Sequence, residues 1–506
     1  MAGLLAGTAA VAAAEAVSAL LTGVTSPLLA VANRAVDTAP RPVKEWAIES
    51  FGTADKAVLI SGVVGAVALL AVVAGVLGAR RIRAAVVLFL LLSAVAMVAA
   101  LTDRAATAGT GPRLLPVLAL VAVGPVSLVA LLRAVHTDGL PVHVRGDELP
   151  PAFDRRTFLK AAAAVGAIAA AGAVTSRFAG GAAAAASRAD VRIPRPDSAA
   201  AALGKGTSLG VDGITSHLTP NKQFYRVDTA LRVPDVPVED FTLRIHGMVD
   251  QELELSYEDL LSRRLVERRI TLTCVSNPVG GEYVGNATWI GVPMRDLLRE
   301  AGVRDGADAV LSTSADDFTA GTPLPVLLDD EREAIVAVAM NGEPLPLEHG
   351  FPVRMVTPGL YGYVSATKWL VDLEVTRFAD FKAYWTTRGY SAEAPIKTSS
   401  RIDVPRSFAR VRAGSTPVAG VAWSQDRGIA KVEVRADQGQ WQEARLATED
   451  NVNTWRQWVW DWEATPGSHK LEVRATDSTG YTQTSRRAPI APDGSTGWHS
   501  VDVTVE

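Results

Sequence analysis

The sequence predicts three architectures in succession: N-terminal transmembrane helices, then an α+β domain, then an all-β sandwich. Three observations carry this. Residues 1–189 hold 16 Lys+Arg against 10 Asp+Glu, leaving 34 and 44 of the chain's 50 and 54 for residues 190–506. Ten of the eleven tryptophans fall in that acidic second part. Long uncharged runs fill the first 135 residues, helix and strand patterns then mix to about residue 400, and strand patterns alone follow. With 506 residues, 48% of them hydrophobic, and a mean hydropathy of +0.17, the chain exceeds one soluble core.

Composition excludes several function classes. An acidic globular part lacks the basic face that nucleic-acid binding needs. The single cysteine, Cys274, rules out intramolecular disulfides and all-cysteine zinc or iron–sulfur sites. No CxxCH haem attachment, GxxxxGK[ST] phosphate loop or HExxH zinc motif occurs.

Residues 57–79, 84–102 and 114–132 are uncharged runs of 23, 19 and 19 residues. Each can cross a hydrocarbon core of roughly 30 Å at about 1.5 Å per residue. Residues 3–24, interrupted only by Glu15, complete four transmembrane helices within 1–135, followed by a cytoplasmic loop at 136–156. A fifth transmembrane segment is expected at 157–178. Its approach, Arg155-Arg156-Thr157-Phe158-Leu159-Lys160 before an Ala/Gly run, resembles a twin-arginine export signal.

Arg80, Arg81 and Arg83 lie between the second and third runs, and Arg133, Arg145, Arg155 and Arg156 between the fourth and fifth. Positive residues favour the cytoplasmic side, so five spans put the N-terminus inside and residues beyond about 178 outside. The seven histidines, at 136, 143, 217, 246, 349, 469 and 499, all miss the spans, so no membrane haem is expected. Residues 179–213, rich in Ala, Gly, Arg and Pro, read as a linker.

In residues 214–400, alternation predicts strands at 241–248, 269–274, 334–339 and 353–356, with helices at 257–262 and 294–301. From 401 to 506, runs at 431–435, 458–462 and 470–475 alternate between Gly/Pro/Asp turns, predicting an immunoglobulin-like sandwich. Trp458, Trp460 and Trp462 share one strand face and read as core or interface packing.

Chemistry centres on Cys274. A lone cysteine is usually a small buried hydrophobe. This one ends the strand Ile270-Thr271-Leu272-Thr273 and enters the polar loop Val275-Ser276-Asn277-Pro278-Val279-Gly280-Gly281. Such a loop can bring backbone N–H groups to an anion, and a thiolate suits a soft or high-valent metal.

These residues resemble a family. Thr271 to Asn277, then Gly285-Asn286-Ala287-Thr288-Trp289-Ile290-Gly291-Val292-Pro293, look like the metal-ligating segment of sulfite-oxidase-type molybdopterin enzymes. Glu348-His349-Gly350-Phe351-Pro352-Val353-Arg354, Pro358-Gly359 and Lys368-Trp369 match a further motif of that family. Trp385-Thr386-Thr387-Arg388-Gly389-Tyr390 resembles its segment bearing the active-site tyrosine. The resemblance covers residues 214–506 and makes 214–400 a molybdopterin-binding oxidoreductase domain and 401–506 a dimerisation-type domain.

The resemblance implies a molybdenum–molybdopterin cofactor, the metal held by a pyranopterin dithiolene and by Cys274. It implies that His349 and Arg354 contact the pterin or its phosphate, that Thr367 and Lys368 hold the phosphate end, and that Asn221, Tyr225, Arg226 and Ser314, or its neighbour Thr313, complete the pocket. Tyr390 would be catalytic beside Cys274. Arginine suits phosphate through its two-pronged donors, and lysine supplies a point charge.

The sequence departs from the family where Asn277 is followed by Pro278, at a position where sulfite oxidases carry an oxyanion-binding arginine; the first loop also lacks their Asn-His pair. The expected function is therefore oxygen-atom transfer on a small molecule, either a sulfite-like oxyanion or a sulfoxide. It would take place in an exported, membrane-anchored enzyme with a separate electron carrier, a quinone or a cytochrome. A homodimer through the sandwich goes with the resemblance. The rival reading is a non-catalytic, membrane-tethered binding module of the same fold.

Overall fold

The computed structural model describes every residue except 22, 41–42, 44–45, 47–50, 52–54, 104–105, 107, 136–154 and 180–181. The expected cytoplasmic loop, with His136, His143 and Arg145, thus lies almost wholly outside the described residues. The chain divides into two compact units. One comprises Met1–Ala185 with Thr229–Asp235, the other Ala186–Asp228 with Val236–Glu506.

The first unit is helical. Among the described residues, four helices are long and apolar enough to cross a membrane: Ala2–Ala19, Lys56–Arg80, Ile82–Thr102 and Thr110–Arg133. They coincide with the four runs read from the sequence. The buried alanines of Ala2–Ala19 pack against Thr110–Val135 and Arg155–Ala179, where small side chains let helix backbones approach.

The expected fifth span is a helix, Arg155–Ala179, but its apolar stretch, Leu159–Thr175, is shorter than the other four. Lys160 and Arg177 stand near its two ends, and alanine and glycine make it only mildly apolar. A further helix, Pro27–Thr38, escaped the periodicity reading. It is only 12 residues long, with Ser26 capping the Leu29 N–H and proline in the first turn.

The second unit holds two sheets around one core, followed by two more. In the first sheet, strands run in the order Leu253–Ser256, Thr242–Gly247, Leu370–Thr376, Ala309–Ser314, Thr319–Pro323. Thr242–Gly247 and Leu370–Thr376 are parallel and the other pairs antiparallel. The second sheet orders Val266–Thr273, Val284–Pro293, Ile335–Met340 and Glu343–Pro344, with Arg354–Val356 also on Ile335–Met340.

Leu243, Ile245, Leu373 and Val375 of one sheet join Ile290, Val292, Val336 and Val338 of the other in a common core. Helix Met294–Ala301 seals it with Leu297 and Leu298, and helix Tyr257–Ser262 starts in a reciprocal Ser256–Asp259 capping box. Every strand and helix read from the sequence in this region is present.

The segment expected to be a linker is partly built into this unit. Ala182–Asp190 is helical, the Asp197 N–H donates to Leu265 O, and Ser198 pairs with Val266. Composition hid this because the pairing partner lies almost 70 residues away.

Residues beyond about 399 form a β-rich region of two sheets. Four strands, Ser399–Val404, Gly414–Trp423, Arg456–Ala464 and Arg445–Leu446, make one. Ala409–Val411, His499–Val505, Gly467–Asp477, Ile429–Ala436 and Gln442–Glu443 make the other. Trp458, Trp460 and Trp462 are all buried in the core shared by both sheets.

Candidate active site

The candidate residues sit at strand ends. Cys274 follows Val266–Thr273, Ser314 closes Ala309–Ser314, Arg354 opens Arg354–Val356, and Thr367 and Lys368 precede Leu370–Thr376. Asn221 begins a short 3-10 turn that leads to Tyr225 and Arg226, and His349 ends another. Two close approaches bring these ends together. Gly350 has φ +107°, and a Cβ there would lie 3.1 Å from both Arg354 Cβ and Lys368 Cα. Trp369 is held at φ +49°, unfavourable for a bulky residue, with its indole N–H donating to Leu347 O at 2.9 Å.

Cys274 is buried. Its N–H donates to Tyr283 O at 2.9 Å, and the Ser276 N–H points at Sγ from 3.4 Å. Burial pushes the thiol's pKa up, while Ser276 and the charge of Lys368 pull it back. Tyr225 and Tyr361 both feel the charge of Cys274. Burial drives both phenols up, Tyr361 to about 12.

Lys368 acts on the thiol, and two further cations, Arg354 and Arg226, act on Lys368. Arg354, 5% exposed, places its guanidinium over the Trp289 ring at 5.0 Å. It donates only to carbonyls, those of His349, Ala366 and Met355, and among the described residues it pairs with no carboxylate. Burial lowers its pKa to about 10. Lys368 Nζ donates to Asp228 Oδ2 at 2.6 Å and to Glu348 O, and burial lowers its pKa to about 8. Arg226 Nε reaches the same Asp228 oxygen at 2.9 Å. His349 donates from Nε2 to Asn221 O at 3.0 Å. Burial first, then the charges of Arg354, Lys368 and Arg226, lower its pKa to about 4, so it is neutral at pH 7.

The remaining candidates are placed as follows. Thr367 Oγ1 is 2.7 Å from Ser312 Oγ. Ser314 donates to Asp316, a half-buried carboxyl that senses both Asp228 and Lys368. Tyr390 packs its ring on Trp385 at 5.2 Å and Tyr363 at 5.6 Å, in the apolar cluster that contains Val275. The Asn221 side chain is turned elsewhere, its amide bonding Met340 O and Glu343 and its oxygen accepting from Asn341. Only its carbonyl faces His349.

Sequence reasoning passed over Asp228, Asp316 and Tyr361. Asp228 had a visible signal: in an extended Arg226-Val227-Asp228 the acid and arginine point to one side. Asp316 and Tyr361 had none.

Residues 230–385 match the family described as "Oxidoreductase molybdopterin binding domain". Sulfite oxidase from Gallus gallus is 32% identical over 333 residues, 56% of this chain and 72% of that protein. The uncharacterized oxidoreductase YuiH of Bacillus subtilis is 34% identical over 180 residues, 35% of this chain and 87% of that one. The chain belongs to the sulfite-oxidase-type molybdopterin oxidoreductases.

The mitochondrial sulfite oxidase of Mus musculus is 30% identical over 340 residues, and the chain spans 62% of its length. Among solved structures, the sulfane dehydrogenase SoxCD from Paracoccus pantotrophus shares the fold, with a TM-score of 0.51 at 24% identity. That match covers 58% of this chain and 84% of that one.

Membership of this oxidoreductase family implies a molybdenum–molybdopterin cofactor, and the residues present fit it. A buried thiol is a soft donor for the metal. The buried Arg354, with no carboxylate partner among the described residues, carries a charge that a phosphate would balance.

Proposed function

We propose that this chain is a membrane-anchored, exported oxidoreductase that moves an oxygen atom between water and a small molecule, a sulfite-like oxyanion or a sulfoxide. The observation that carries the reading is a buried thiol with Lys368 and Arg354 at the ends of strands from both sheets, and Arg226 beside Lys368. When bound, the cofactor supplies two-electron redox chemistry at molybdenum. Every other role falls to side chains of this chain.

Cys274 would hold the metal through Sγ. Arg354, Lys368 and Arg226 would hold the phosphate end, with Thr367, Ser314 and Tyr225 as polar neighbours and the Asn221 carbonyl setting His349. Neutral His349 gives its one N–H to that carbonyl and keeps Nδ1 as an acceptor. Tyr390, fixed between Trp385 and Tyr363, would give its phenol proton to a bound oxyanion as a hydrogen bond, without ionising. The aromatic rings packed on it lower the local polarity, which strengthens such a bond.

The names of its relatives, sulfite oxidase and, at 28% identity, an inducible NADH nitrate reductase of Glycine max, agree with a small oxyanion. Electrons would pass to or from a separate quinone or cytochrome. We read residues 1–135 as four spans, 157–178 as a fifth with a twin-arginine-like start, and 214–400 as the cofactor domain outside the cytoplasm. Residues 401–506, two sheets on one core, read as an immunoglobulin-like module able to dimerise.

Purified from a host that makes the cofactor, the chain should hold about one molybdenum per chain, a stoichiometry set by the single thiolate site. Protein that stays free of molybdenum under those conditions overturns the reading.

A further inference from the structure

We propose that the C-terminal β region holds Cys274 in place from both sides, and so forms part of the machinery that positions the active-site thiol. The catalytic meaning of this rests on the reading of Cys274 as the metal's ligand; the mechanical meaning does not.

On the strand before Cys274, the grip comes from Gln425, just past strand Gly414–Trp423. Fully buried, it donates its amide to Thr271 O at 2.8 Å and to Thr273 Oγ1 at 3.2 Å. Its buried Oε1 has no hydrogen-bond partner among the described residues, an unfavourable state accepted where the amide group makes both bonds. Two neighbours add to it. The Thr271 N–H donates to Asn453 O at 2.9 Å, and the Trp455 N–H donates to Thr271 Oγ1 at 2.8 Å.

The loop after Cys274 is gripped separately. Arg401 Nη1 donates to Gly281 O at 2.7 Å, and Ser495 Oγ donates to Asn277 O at 2.7 Å. Arg401 is itself fixed by Asp403 and Thr215. The His499 ring lies under Gly280, where a Cβ would come 2.1 Å from its Cδ2, and its Nδ1 accepts from the Ile402 N–H at 3.0 Å. Gly280 also has φ +79°, so only glycine lets the loop lie on that ring.

The loop transmits these grips because it is closed on itself. The Cys274 N–H bonds Tyr283 O, and the Tyr283 N–H bonds Asn277 Oδ1, both at 2.9 Å. A small crevice of about 20 Å³, lined by Asn277, Pro278, Gly280, Ser399 and Trp423 among others, runs along the loop. Val275 packs against the neighbouring apolar cluster, and the rest of the loop is held by the hydrogen bonds above.

Because Cys274 is the only thiol, alkylation of the full-length, cofactor-free protein by iodoacetamide reports local opening at this one residue. Gln425→Leu should speed its modification about tenfold, and Ser495→Ala several-fold, at an unchanged circular dichroism spectrum. Arg410→Gln, on the exposed Arg410–Glu506 pair, should leave the rate alone. If Gln425→Leu does not fold, Ser495→Ala and Arg401→Lys decide. Rates within twofold of wild type in the folded variants overturn the proposal, whatever the metal content. In molybdenum-loaded protein the same variants should shift the Mo(V) spin-resonance spectrum while retaining the metal; an unchanged spectrum overturns the catalytic part alone.

Discussion

Lys368 Nζ lies 2.6 Å from Asp228 Oδ2, and both side chains are buried, 10% and 4% exposed. Arg226 Nε shares that oxygen at 2.9 Å. One carboxylate thus serves two cations at the place where the cofactor's phosphate is expected, with Glu348 also acting on Arg226 and Asp316 sensing Lys368, while Arg354 has no carboxylate partner among the described residues.

Asp228→Asn should therefore harm the cofactor-free protein more than the loaded one. Removing one member of a buried ion pair typically costs about 3–5 kcal/mol because the other charge is stranded. A phosphate beside Lys368 and Arg226 would supply much of the lost negative charge. Thermal unfolding of both forms checks this: the variant's midpoint should fall by several degrees more without cofactor, as about 1 kcal/mol moves a midpoint by a few degrees. Equal falls in both forms would place the phosphate elsewhere.

Acid should destabilise the protein before its carboxylates titrate. Burial lowers His349 and His499 to about 4 from an ordinary value of 6.5. Between those pH values the unfolded chain binds more protons than the folded one, so stability falls as pH falls from 6.5 to 4. Asp450, held at about 2 by His217 and Arg269 against burial, contributes only below about 3.8. Each histidine should account for about 1–3 kcal/mol by pH 4. Denaturant midpoints measured from pH 7 to 4 should decline, and His349→Gln should flatten part of that decline; parallel curves would refute it.

The fold was legible wherever local pattern decides. Thr242–Gly247 alternates with Leu243 and Ile245 inward, and Met294–Ala301 places Leu297 and Leu298 on one face, so periodicity alone found both. Ser198 on Val266 and Pro27–Thr38 were invisible, the first because its pairing is long-range, the second because it is short. Among the candidate site residues, motif order singled out Cys274, Arg354 and Lys368, which the fold brings to neighbouring strand ends. It could not show that the Asn221 amide turns to Glu343, nor that Asp316 and Tyr361 stand near the thiol and cations. Those facts depend on how strand ends from separate sheets meet, which no single segment encodes.

The membrane reading turns on Arg155–Ala179. With four crossings the second unit would share the side of the N-terminus; with five it lies opposite. The paired arginines before Lys160, and the basic 80–83 segment, favour the N-terminus inside, and we read the apolar Leu159–Thr175 stretch after the arginines as the fifth crossing. Reporter fusions after Thr102 and after Ala202 should both read as external. A cytoplasmic signal at Ala202 would remove the fifth crossing and with it the export argument.

The last prediction concerns substrate. Pro278, directly after Asn277, lines the cleft along the Cys274 loop and offers no charge and no N–H. Loss of a charge-assisted contact to an anion is worth about 1.5–3 kcal/mol, or roughly ten- to a hundredfold. The nearest substitute on the tyrosine segment is Arg388, but its guanidinium lies 3.5 Å over the Tyr384 ring and Nη1 donates to Tyr384 O at 2.7 Å. Held there, it cannot reproduce a contact from position 278 without leaving both partners. Sulfite kcat/KM should accordingly be roughly ten- to a hundredfold below that of the Gallus gallus enzyme assayed beside it. Pro278→Arg should recover part of the difference if the loop keeps its shape, which Cys274 alkylation in the cofactor-free variant would show. Efficient turnover of micromolar sulfite by the wild-type chain, lost in Arg388→Met, would show instead that Arg388 leaves Tyr384 and binds the oxyanion.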